Sequence, residues 1–217
     1  MEKHKSFIFF SAFLIFFLCI FVVFIDRFFE PPATPLDSVL DAVKGSNETY
    51  ANENGILTIV EFSDYECPYC RSVVPTLRKL KANYNDKIII VFKNFPVHGT
   101  ILKAEAAECA RDQDRFWEMH DLLFADQSEI TTDTLLDYAG KIGIDKKQFE
   151  ECLSSGKKKD VIKKDMTEGQ RKGVSGTPTF FIGQKMIPGA MPYDTFAGII
   201  DEELKKLEAS GSGEGDG

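Results

Sequence analysis

With 217 residues, 34 acidic against 26 basic side chains and a net charge of −8, the chain suits one ordinary domain and is too acidic to attract a phosphate backbone. Nucleic acid is therefore not an expected partner. All of the acidity lies beyond residue 30, because Lys3, Lys5 and Arg27 balance Glu2, Asp26 and Glu30 before it.

The stretch Phe7 to Ile25, "FIFFSAFLIFFLCIFVVFI", carries no charge and is long enough to cross a bilayer as a helix. A cleaved signal peptide is the competing reading, but "DRFFEPPATP" offers no A-x-A pattern for a cut. Cys19 follows Leu18 rather than a small residue, which argues against a lipoprotein cleavage site. Lys3 and Lys5 before the span, against Arg27 alone after it, place the N-terminus in the cytoplasm and the domain outside. Residues 1–30 thus read as a cytoplasmic stub and transmembrane signal anchor of a single-pass cell-membrane protein. Disulfides persist on the outer side, so the other four cysteines read as a redox or disulfide set.

"EPPATP" cannot continue a helix, and residues 31–55 read as a spacer that includes a short amphipathic helix over 36–44. "ILTIVEF", 56–62, and "KIIIVFKNF", 87–95, are β-branched enough to be buried strands, with a helix over 68–84 between them. Strand, helix, strand implies a parallel pair with a crossover. From about 100 to 172 the pattern turns helical, with helices expected near 101–112, 114–124, 132–142, 146–154 and 157–172. Phe116, Trp117 and Met119 read as core, and "GKKKD" as a solvated helix start. "TFFIG" and "QKMIPG" then form a hairpin around Gly183, and "YDTFAGIIDEELKKLEA" a closing amphipathic helix, before a disordered tail at 208–217. There is no internal repeat.

"ECPYC" holds Cys67 and Cys70 two residues apart, just after the first strand. Two cysteines are half of a structural zinc site, and neither a second C-x-x-C nor a close histidine pair completes it. A c-type haem needs histidine after the second cysteine, where this chain has Arg71. A staple across so small a loop would remove little unfolded-state entropy. Redox chemistry remains. Cys67 falls at the start of a helix, with Pro68 where a missing N–H is harmless, and the orphan N–H groups there favour a thiolate. Cys70, one turn on, is the natural resolving thiol.

These residues, with Pro75 five positions after Cys70, "AAECARDQDRFWEMHDLLF" and "GVSGTPTFFIG", resemble the DsbA-type thiol-disulfide oxidoreductases over about residues 50–207. The resemblance implies an α/β thioredoxin-like fold, a central mixed sheet flanked by helices, spanning 56–207 with an all-helical insertion at about 100–172. It also implies a cis peptide before Pro178, placing Thr177 and Pro178 beside Cys67 to receive a substrate strand. Glu61, six residues before Cys67, takes the place of a buried carboxylate that would exchange a proton with Cys70; the alternative is a strand residue facing solvent. Tyr69 is a substrate-contact candidate. Pro68 and Tyr69 stand where strongly oxidising members carry a histidine, and His98 is not that histidine. Cys109 and Cys152, on two insert helices, read as a structural disulfide closing a loop of about forty residues, ~3 to 4 kcal/mol in the chain-entropy model, or else as two buried thiols.

The expected function is a membrane-anchored, extracytoplasmic, monomeric disulfide oxidase acting on reduced secreted or surface proteins. It needs no small cofactor or metal, and a quinone-coupled membrane partner of the DsbB or vitamin K epoxide reductase type would reoxidise it. A reductase or isomerase of the same fold is the first alternative, a copper-binding assembly factor the second.

Overall fold

The computed structural model describes residues 56–84, 86–98, 101–126 and 128–211. The expected span at Phe7–Ile25, the spacer and the helix at 36–44 lie outside the described residues, as do residues 212–217. Among the described residues no helix is long and apolar enough to cross a membrane.

Strand β1 (Leu57–Ser63) is followed by helix α1 (Pro68–Tyr84) and strand β2 (Ile88–Asn94). β1 and β2 pair in parallel from Leu57 opposite Ile88 to Ser63 opposite Asn94. Such a pair needs a crossover, which α1 supplies. Strands β3 (Thr179–Ile182) and β4 (Lys185–Pro188) form an antiparallel hairpin, and β3 lies antiparallel to β1. The mixed sheet has the order β2-β1-β3-β4, so β1 is interior and its C-terminal end opens centrally.

Both faces of the sheet are covered. Leu57 and Ile59 pack with Val73, Leu77 and Leu80 of α1 and with Phe196, Ile200 and Leu204 of α7 (Tyr193–Gly211). Val60 and Phe62 pack on the other side with Phe95, Val174 and Phe181. Helix α6 (Lys159–Arg171) lies close on that face through Gly169, where an added Cβ would sit 2.7 Å from the Phe95 ring and 2.9 Å from Phe62. Gly183 turns the hairpin at φ +56, and a Cβ there would meet the Glu203 carboxylate.

Between β2 and β3 the insert holds α2 (Leu102–Arg111), α3 (Phe116–Ala125), α4 (Thr132–Lys141), α5 (Lys146–Ser155) and α6. Its boundaries have local causes. Thr131 and Asp145 cap α4 and α5 by accepting from the Thr134 and Gln148 N–H groups. Helix α3 begins at Phe116, two residues later than the periodicity implied, because Asp114 adopts φ 57. Helix α6 starts at Lys159 rather than 157. The left-handed Gly156 ends α5, and Lys157 and Lys158 both pair with Asp112, so the lysine run ties two parts of the insert together rather than only facing solvent. Helix α7 continues to Gly211, past the expected tail start at 208, since Glu208 and Ala209 are good helix formers.

The insert shares one core with the redox motif: Phe116, Met119, Leu123, Leu135 and Phe149 are grouped with Tyr65, Cys67, Cys70 and Phe92. Trp117 is partly buried against this group. Cys109 of α2 and Cys152 of α5 are joined by a disulfide, with Cα atoms 5.8 Å apart.

Candidate active site

β1 ends at Ser63, and the next four residues turn the chain into α1. Asp64 organises the turn: one carboxylate oxygen accepts from the Glu66 N–H at 2.9 Å. The other accepts from the N–H groups of Val97 and His98, each at 2.9 Å, and meets His98 Nδ1 at 3.0 Å. One buried side chain thereby clamps the β1–α1 turn to the segment after β2. The Cys67 N–H donates to the Asp64 carbonyl at 3.0 Å, and the Cys67 carbonyl accepts from the Arg71 N–H at 3.1 Å. Cys67 is therefore the residue from which α1 springs, and Pro68 takes the first helical position.

Cys67 and Cys70 are both thiols and both buried, at 2% and 0% exposure. The Thr177–Pro178 peptide is cis, and the Cys67 thiol donates to the Thr177 carbonyl at 3.3 Å. The Pro178 carbonyl accepts from the Gly189 N–H at 2.8 Å, tethering this loop beyond β4. Proline has no N–H, so none competes beside the sulfur. Tyr69 stands at the rim, 68% exposed, beside exposed Pro68.

Beneath the thiols lies Glu61, at 2% exposure in the middle of β1. The solvent-facing alternative fails because helices cover both faces of this interior strand. Burial lifts the Glu61 carboxyl to about 7, and the Ser63 hydroxyl, donating to Oε1 at 2.8 Å, offsets part of that. Burial also pushes the Cys70 thiol far up, with the Glu61 charge adding to the effect. The Ser63 hydroxyl, the Asp64 backbone and the Thr177 side chain act in the opposite sense. The arrangement holds a proton on Cys70 until the sulfur is engaged, with an acceptor beside it that titrates near neutrality.

Glu61, Cys67, Cys70, Thr177 and Pro178 are thus brought together, Tyr69 borders them, and Cys109–Cys152 lies apart in the insert. Sequence reasoning missed Ser63, the Asp64 clamp and two further features. Lys103, at 2% exposure on α2, meets the Glu66 carboxylate at 3.2 Å. His120 sits among the rings of Tyr65, Phe92, Trp117 and Phe124 with centroids 4.9 to 5.9 Å away, and burial holds it below its ordinary range. "WEMH" in an aromatic-rich helix hints at the second; nothing local announces the first.

A family model described as Thioredoxin matches residues 46–202. A probable disulfide bond formation protein D of Bacillus anthracis is 32% identical over 176 residues, covering 74% of this chain and 80% of that protein. The Na(+)/H(+) antiporter NhaA 3 of Salinispora tropica is 38% identical over 164 residues, 74% of this chain. The chain spans only 24% of that antiporter's length. Among solved structures, oxidised BdbD of Bacillus subtilis matches with a TM-score of 0.67 at 28% identity, over 75% of this chain and 95% of that one. The fold, the C-x-x-C against a cis-proline loop and these matches agree: the chain belongs to the DsbA-like thioredoxin-fold family of thiol-disulfide exchange oxidoreductases.

Proposed function

We propose that the chain is a membrane-anchored, extracytoplasmic disulfide oxidase that passes a Cys67–Cys70 disulfide to reduced secreted or surface proteins. The observation that carries this reading is the placement of Cys67 against the Thr177 carbonyl, with Cys70 sealed below it next to Glu61. A substrate thiolate attacks the Cys67 sulfur of the disulfide, and the Cys67–Cys70 bond breaks. Cys70 leaves as a thiolate and takes a proton from Glu61. A second substrate thiol, deprotonated, then attacks the substrate sulfur of the mixed disulfide. Cys67 departs as a thiolate, leaving the substrate oxidised by two electrons and the enzyme as the dithiol. Thr177, Pro178 and Tyr69 form the surface over which the substrate strand lies. Cys109–Cys152 stays out of the electron path as a staple of the insert.

Disulfide bond formation is named for the B. anthracis relative, and it is the direction assigned here. The charge-poor leader supports an anchor over residues 1–30, a spacer over 31–55 and a catalytic domain over 56–207 outside the membrane. A DsbB-type or vitamin K epoxide reductase-type quinone-coupled protein restores the disulfide, with the chain acting as a monomer.

The test mixes the oxidised full chain with a reduced, unfolded two-cysteine protein and counts thiols on both. One substrate disulfide should appear per enzyme dithiol formed, and Cys67→Ser should abolish the transfer. An oxidised chain that keeps its disulfide, while the reduced chain cleaves substrate disulfides, would replace the oxidase with a reductase.

A further inference from the structure

Lys103 stands in an unfavourable position by two criteria. It is a lysine at 2% exposure, and it occupies the first turn of α2, where the helix dipole opposes a cation. Its ammonium meets the Glu66 carboxylate at 3.2 Å and the Asp126 carbonyl at 3.5 Å. Glu66 immediately precedes Cys67, and its N–H is fixed by Asp64. Glu66 is the chain neighbour of Cys67, and a negative charge there opposes the build-up of negative charge on the sulfur during exchange. The partly buried Glu66, its side chain 27% exposed, is screened little by water. The other charged groups near the pair are Glu61 below Cys70, Asp64 with exposed His98 on the turn, Arg71, whose guanidinium donates to the Ala125 carbonyl, and the Asp126 carboxylate, which feels the Lys103 charge and accepts from the Tyr138 hydroxyl. Among the described contacts, Lys103 is the cation that answers Glu66.

We propose that Lys103 is a positioning and charge-setting residue for Cys67, acting through Glu66. It neutralises the carboxylate beside the nucleophile and moors the C-x-x-C turn to the helical insert, which keeps the Cys67–Cys70 couple oxidising. This rests on the dithiol-exchange reading above. Stabilising the Cys67 thiolate stabilises the reduced form, so a change at this pair reads out in the exchange equilibrium with glutathione.

Four full-length proteins decide it: wild type, Glu66→Gln, Lys103→Met and the double variant, each equilibrated in glutathione buffers and quantified by thiol alkylation. Glu66→Gln, which removes the carboxylate next to Cys67 and keeps the Lys103 cation, shifts the equilibrium about tenfold toward the dithiol, ~30 mV more oxidising. Lys103→Met, which leaves the carboxylate unanswered, shifts it about tenfold the other way, and the double variant returns near wild type. A purely structural pair would lower stability in both single variants without opposite shifts. Single variants that move the equilibrium in the same direction, or not at all, overturn the proposal. Glu66→Gln decides alone if Lys103→Met fails to fold, because glutamine keeps the shape of the partly buried Glu66 and its predicted shift has a definite sign. A wild-type chain without a reversible Cys67–Cys70 couple would instead remove the oxidoreductase reading on which the proposal stands.

Discussion

Replacing Glu61 by glutamine tests whether a buried carboxylate is held near neutrality beneath the redox pair. In the folded chain its carboxyl lies at about 7, against an ordinary value of 4.5, and it is 2% exposed. Folding therefore favours the protonated form. The penalty is absent below about pH 4.5, grows as pH rises toward 7, and is complete above that, the reverse of a salt-bridged carboxylate. A shift of that size, at about 1.4 kcal/mol per unit, corresponds to about 3 kcal/mol. Glutamine keeps the shape and can still accept from Ser63, but it does not ionise. Urea unfolding of the reduced full chain and of Glu61→Gln should coincide near pH 4 and diverge to about 3 kcal/mol in favour of the variant at pH 8. The difference between the two curves cancels the titrating groups that do not interact with Glu61; Cys70 and Tyr65, which do, have thiol and phenol groups pushed upward by burial, away from this pH window. A flat difference between pH 4.5 and 7.5, or one of opposite sign, would refute the burial argument and with it the proton exchange with Cys70.

Three further outcomes are expected. Ser63→Ala removes the hydroxyl that donates to Glu61, so the Glu61 titration followed by carboxyl infrared absorption should move upward; no movement would show that the 2.8 Å contact does not stabilise the carboxylate. Cys109→Ala with Cys152→Ala opens a cross-link between residues 43 apart in sequence, and denaturant unfolding should register a loss of about 4 kcal/mol in the chain-entropy model; a loss under about 1 kcal/mol would mean that the insert is rigid without it. Gly169→Ala adds a methyl 2.7 Å from Phe95, where an overpacking penalty of about 1–3 kcal/mol should outweigh the roughly 1 kcal/mol gained in helix propensity; a more stable variant would mean that α6 moves off the sheet freely.

Much of this architecture was legible because it is written in periodic or local signals. β1 and β2 are β-branched runs, α1 repeats Val73, Val74, Leu77 and Leu80 at helical spacing, and the insert helices follow a period near 3.6. The C-x-x-C and the Thr-Pro are short motifs with one dominant mechanical reading each, and the structure brings them to 3.3 Å across 110 residues of sequence. What escaped reading has no period. Lys103 meeting Glu66, Asp64 gathering the N–H groups of Val97 and His98, and the buried Lys93–Asp165 pair at 3.2 Å all join residues far apart through single contacts. An isolated lysine or aspartate looks like surface until the fold closes over it. Glu61 lay between these cases: alternation alone would put it in water, and only burial of both faces of β1 places it inside.

The central claim concerns the direction in which Cys67 and Cys70 move electrons, and the reduction potential of that couple in the full chain tests it most directly. The oxidase account predicts a value close to that of a strong dithiol oxidant, about −120 mV, at which the reduced form is favoured over the disulfide. A value of about −270 mV would make the chain a thioredoxin-like reductant and contradict the account.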